Sequence, residues 1–160
     1  MTSGAIFSDC RKYRYALWRI WDHNAPKILF IGLNPSAADE HHNDPTIRRC
    51  LDYTQSWGYG GFYVTNLFAY RHKNPAQLKR VKDPCGPENY HYLLHFSNTC
   101  DKVILIWGNE GIFQNRNRAV LELIERPWCL KINKSGQPAH PLYLKKSLNP
   151  RPYVFRNQSK

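Results

Sequence analysis

Four apolar runs punctuate this chain at regular intervals: KILFIG (27–32), GFYVTNL (61–67), DKVILIWG (101–108) and WCLKIN (128–133). The first three are nearly continuous in apolar residues, which predicts strands buried on both faces, as in a parallel sheet. The segments between them carry helical spacing instead. Asp44 is a good N-cap, Pro45 suits the first helical position, and TIRRCLDYTQSW continues a helix that Gly58 can end. Pro87 to Cys100 predicts a second helix, and Asn115 to Glu125 a third, stopped by Pro127. The order β-α-β-α-β-α-β implies an α/β fold with a mainly parallel four-stranded sheet flanked by helices. Upstream, KYRYALWRIWD (12–22) is aromatic and partly alternating, and predicts one extra N-terminal strand.

Length and composition fit that frame. With 160 residues, 42% of them hydrophobic, the chain suits one domain over 1–155, and RNQSK (156–160) reads as a flexible C-terminal tail. A monomer is expected. The formal charge of +11, from 23 Lys and Arg against 12 Asp and Glu, exceeds what solubility needs and favours a polyanionic partner, nucleic acid first. No stretch approaches the roughly 20 apolar residues that span a bilayer, and the N-terminus lacks the apolar centre of a signal peptide, so no membrane partner and a cytoplasmic location are expected. Five cysteines, at 10, 50, 85, 100 and 129, contain no C-x-x-C pair, which speaks against a disulfide framework, a zinc knuckle or an iron–sulfur cluster. Most of them read as small core residues.

In an open α/β sheet, ligands bind beyond the carboxyl ends of the strands. The polar residues that follow each run are therefore expected to converge. They are Asn34 after the first, Asn66 at the end of the second, Gly108 and Asn109 after the third, and His140 in the loop after the fourth.

The same segments resemble, in the same order, the uracil-DNA glycosylase superfamily. IGLNPS (31–36) looks like the Gly-x-Asn-Pro-Gly signature of its mismatch-specific and single-strand-selective branches, and VTNLFAYR (64–71) resembles the strand whose terminal Asn reads the base. VILIWGNEG (103–111) is similar to the apolar strand and Trp-Gly pair before the penultimate helix. AHPLYLKKS (139–147) resembles the family's final His-Pro-Ser-Pro-Leu loop. The chain also looks like a bacterial domain family that would form a distant branch of the superfamily. Two departures stand out: Ser36 replaces the usual Gly, and the final loop reads His-Pro-Leu without the intervening Ser-Pro.

The resemblance implies a monofunctional glycosylase that flips a modified pyrimidine out of DNA and hydrolyses its N-glycosidic bond. In that reading Asn34 positions the attacking water and His140 donates to the base oxygen as the base leaves with negative charge. A carboxylate would strengthen the site. Asp39, Glu40 and Asp44 all lie nearby, and Asp44 is favoured, although helix capping explains it equally well. Asn66 bonds the edge of the flipped base, since an amide offers both donor and acceptor, with Gly32 and Ser36 of the signature loop beside it. Leu142 and Tyr143 are candidates to fill the gap left in the duplex, and Lys145, Lys146, Arg48 and Arg71 to meet phosphates. Tyr70, Phe68 and Trp107 are candidates to stack on the base. No cofactor is called for. Uracil is the default substrate, and a bulky phage-type cytosine, hydroxymethylated or glucosylated, is the other, as a defence enzyme would need. A non-catalytic modified-base binder and a nucleotide hydrolase using the same pocket are the alternatives.

Overall fold

Alternate residues of β3 (Lys27–Gly32) serve two different cores, which is why its run of apolar side chains is unbroken. In the computed structural model, which describes residues 1–154, Leu29 and Ile31 join one buried cluster while Ile28 and Phe30 join another on the opposite face. β5 (Lys102–Leu105) repeats the device, with Val103 and Leu105 on the first face and Ile104 on the second. Helix α1 (Pro45–Ser56) covers the second face through Ile47, Cys50 and Tyr53. Helices α2 (Asn89–Thr99) and α3 (Arg116–Leu121) contribute Leu93, Phe96 and Val120 to the first. The result is a single α/β domain.

The sheet is larger and more mixed than the four apolar runs suggest. It has seven strands in the order β1-β2-β4-β3-β5-β6-β7, adding β1 (Thr2–Phe7), β2 (Arg14–Ile20), β4 (Gly61–Asn66), β6 (Pro127–Cys129) and β7 (Arg151–Pro152). The central β4, β3, β5 and β6 are parallel. Both flanks are antiparallel, with β1 and β2 on one side and β7 on the other. The expectation of four strands plus one is thus corrected to seven. TSGAIF of β1 is too short and too polar at its start to announce itself, and β7 contains only two residues, one of them a proline confined to an edge.

Boundaries also move. β6 stops at Cys129, not at residue 133, and α3 ends at Leu121, not at residue 125. Two 3-10 segments, Pro75–Arg80 and Asn109–Asn115, fill stretches that carry no strong periodic signal. The tail at 156–160 lies outside the described residues. Among the described residues no helix is long and apolar enough to cross a membrane, and the five cysteines are all free. Cys50 and Cys129 are buried, Cys85 and Cys100 half-buried, and Cys10 exposed.

Candidate functional site

The carboxyl ends of the parallel strands open into a cavity of about 300 Å³. That is the small end of the range for ligand pockets, and it suits one planar ring better than a dinucleotide. Its wall brings together Gly32, Asn34, Ser36, Asp44, Asn66, His140 and Leu142, seven of the residues expected from sequence, and Trp107 of the stacking candidates. Leu33, Ile47, Val64 and Ile106 supply apolar wall.

Register accounts for the closest contact in the site. Gly32 pairs with Asn66 at the ends of β3 and β4, and a Cβ on Gly32 would stand 2.8 Å from Asn66 Oδ1. Only glycine lets the Asn66 amide lie there. Asn66 is 3% exposed, and its Nδ2 has no hydrogen-bond partner among the described residues. Buried amides are nearly always satisfied, so this donor, on a residue that lines the cavity, calls for a partner that the protein itself does not supply. Asn89 holds the backbone at this point by donating from Nδ2 to the Asn66 and Leu67 carbonyls at 3.1 and 2.9 Å.

Asn34 is oriented by the chain around it. Its Nδ2 donates to the carbonyls of Pro35 and His72, at 3.1 and 2.9 Å. Both partners are acceptors only, which fixes the amide and leaves Oδ1 as the group available to a water or ligand. His140 is oriented in a similar way. The Leu142 N–H donates to its Nδ1 at 3.2 Å, so in the neutral ring the proton sits on Nε2, which is then a donor. Burial holds the imidazole pKa below its usual value, and the Asp44 carboxylate only partly offsets this. A neutral His140 with a protonated Nε2 is the form present at neutral pH.

Of the three carboxylates considered, Asp44 alone lines the cavity. Both its oxygens are engaged by backbone: Oδ1 accepts from Ile47 N–H at 2.9 Å as the N-cap of α1, and Oδ2 accepts from Ala38 N–H at 3.3 Å. Asp39 accepts from the His41 and His42 N–H groups, which draw its pKa down to about 2, and Glu40 is clamped by Arg11 at 2.8 and 3.1 Å, which does the same.

Arginines pin the loop that carries Asn34. Arg71 donates from Nε to Ser36 O at 3.1 Å and from Nη2 to Ala37 O at 3.3 Å, and so braces the loop from within the protein. Arg19 donates to the Asp39 and His42 carbonyls and to Asn43 Oδ1. Arg48 is exposed on α1, away from the cavity wall, and its Nη2 reaches the Asn43 carbonyl at 3.4 Å. Beyond Leu142 the chain runs back along α1, where the Leu144, Lys145 and Leu148 carbonyls accept from Arg49, Tyr53 and Trp57. Tyr143 is 100% exposed in a left-handed conformation (φ 72°), and Lys145 and Lys146 are exposed after it.

Arg14 and Lys73 also line the cavity and escaped the sequence reading, and His72 lines it beside them. Arg14 is there because β2 runs antiparallel to β4, so the start of β2 lies beside the end of β4; its N–H donates to Ala69 O at 2.9 Å. A lone arginine opening an aromatic strand carries no sequence signal for this placement. Of the stacking candidates, Phe68 is fully buried in the core. Tyr70 packs at 6.3 Å from the parallel His72 ring. Trp107 is fixed by Nε1 donating to Gln137 Oε1 at 3.0 Å, and a Cβ at Gly111 would collide with its indole.

Residues 14–142 match the family described as Protein of unknown function (DUF1643). The chain belongs to that family. No curated protein matches it, and no solved structure does. The DUF1643 match begins at Arg14 and ends at Leu142, both on the cavity wall, so the matched segment encloses the whole site and leaves β1 and β7 outside. Among the described residues, no group of three or more His, Cys, Asp or Glu is assembled as a metal ion would require.

Proposed function

We propose that this DUF1643 protein is a monofunctional DNA glycosylase of the uracil-DNA glycosylase type, acting on a modified pyrimidine flipped into the cavity. The observation that carries the reading is the pairing of a His140 Nε2 donor and an unpartnered Asn66 Nδ2 donor on the wall of one cavity, with Asn34 Oδ1 left to hold water. The bond between C1′ and the base nitrogen breaks with its electron pair passing to the base. His140 donates to the base oxygen on which that charge collects, and a water held by Asn34 adds to C1′ and releases its proton to solvent. Asp44, with both oxygens occupied by N–H groups, acts through its negative charge near the sugar rather than as a base. The exposed Tyr143, Lys145 and Lys146 after Leu142, and the overall charge of +11, suit a duplex around the lesion.

The test is incubation with single- and double-stranded DNA carrying uracil, thymine mismatches, or hydroxymethylated or glucosylated cytosine, followed by alkaline cleavage of abasic sites. Breaks at one base type that vanish in Asn34→Ala and His140→Ala support the reading and name the substrate. DNA retained without any base release makes the protein a modified-base binder instead.

A further inference from the structure

Arg14 is the least expected group in the cavity wall. It is 2% exposed, and its Nη1 donates to Ala38 O at 3.1 Å. Its Nε is buried with no partner, and Nη2 makes no hydrogen bond among the described residues. These two nitrogens form one side of the guanidinium fork, the side that takes a carboxylate or another pair of oxygen acceptors. No carboxylate among the described residues lies within ion-pairing distance of it. Asp44 is near enough to be felt, but its oxygens are committed to Ile47 and Ala38. A buried cation with half of its donors idle is unfavourable.

Asn66, whose Nδ2 is also unpartnered, lines the same cavity. Both orphans are donors, and the His140 Nε2–H and the Lys73 ammonium add to the same sign. With the Asp44 oxygens already taken by backbone N–H groups, the free donors on this part of the wall favour a ligand edge that presents acceptors.

We propose that Arg14 and Asn66 form an anion subsite in this cavity, selecting a pyrimidine that carries an ionised oxygen-bearing substituent, such as a carboxylate, on the edge that enters first. Arg14 takes the substituent through Nε and Nη2, and Asn66 donates to a neighbouring ring oxygen. The inference rests on the base-pocket reading above, but it concerns selectivity and needs no bond cleavage.

The experiment is calorimetric titration of the full chain with uracil, uracil-5-carboxylate and uracil-6-carboxylate, in wild type, Arg14→Met and Arg14→Lys. One carboxylated base should bind wild type at least about tenfold more tightly than uracil, in line with a charge-assisted bidentate contact. Arg14→Met keeps the apolar stem, so folding should survive, and the preference should vanish. Arg14→Lys keeps the charge without the fork and should lose most of it. Equal binding of all three bases by wild type overturns the subsite, and so does a preference that persists in either variant. The wild-type comparison stands even if Arg14→Met does not fold. Because free bases are used, absence of base release from DNA would leave this result intact, and a failed preference would leave the glycosylase assay intact.

Discussion

Gly32 and Asn66 sit opposite each other at the ends of two parallel strands, and the missing Cβ of the first makes room for the amide of the second, 2.8 Å from where that atom would be. Gly32→Ala should therefore act on the site before it acts on the fold. The Asn66 side chain must turn away, and its Nδ2 moves with it. Ligand binding or base release should fall about tenfold or more, the scale of one lost buried hydrogen bond, with a much smaller change in thermal midpoint. Unchanged activity in a folded Gly32→Ala protein would show that Asn66 does not read the ligand.

His140 makes the site sensitive to acid. Burial lowers its pKa below the usual imidazole value of about 6.5. The unfolded chain therefore binds the proton more readily than the folded one does. Stability is greatest above the unfolded value and is lost as pH falls through the depressed folded value. Activity should follow, since protonation of Nδ1 removes the acceptor for the Leu142 N–H and frees the ring. NMR of the ring nitrogens should find the proton on Nε2 at pH 7.5, and His140→Ala should cost on the order of 10²–10³ in rate, as for loss of one donor to a developing oxyanion. A proton on Nδ1 at that pH would remove the donor role.

The central strands and the residues at their carboxyl ends were legible because two-sided burial and strand-end polarity are local patterns. KILFIG and GFYVTNL end where the structure ends β3 and β4 to within a residue, and Asn34, Asn66 and His140 meet as strand order requires. What escaped depends on pairing between distant segments. Arg14 reaches the cavity only because β2 is antiparallel to β4, and nothing in RYALWRI states its direction. Arg71 braces the 33–43 loop through the Ser36 and Ala37 carbonyls, a contact between distant segments that no local pattern announces.

Asp44 couples the site to helix α1, and two substitutions separate its roles. Asn can still cap the helix by accepting from Ile47 N–H, but it removes the charge near His140 and Arg14. Ala removes both. Asp44→Ala should lower stability by about 1 kcal/mol or more, while Asp44→Asn, which keeps the cap but leaves the Ala38 N–H without its acceptor, should lose less in denaturant midpoint and still lose activity. If Asp44→Asn is fully active, the carboxylate is a cap and nothing more.

Tyr143 supplies the sharpest test of contact with DNA, because the fold gains nothing visible from it. Its ring is wholly exposed and its backbone is left-handed (φ 72°), a conformation that a bulky residue adopts only with strain. Tyr143→Gly suits that backbone and should leave stability unchanged or raised. If the ring enters the duplex beside a flipped base, the same change should weaken binding to lesion DNA while leaving binding of a free base untouched. Lys145→Ala and Lys146→Ala should act differently, each weakening DNA binding irrespective of sequence and reducing the salt slope of log K by about 1. Equal affinity of wild type and all three variants for duplex DNA, measured by fluorescence anisotropy across a salt series, would remove the loop after His140 from the nucleic-acid interface and leave the small cavity as a site for a free nucleobase or nucleotide.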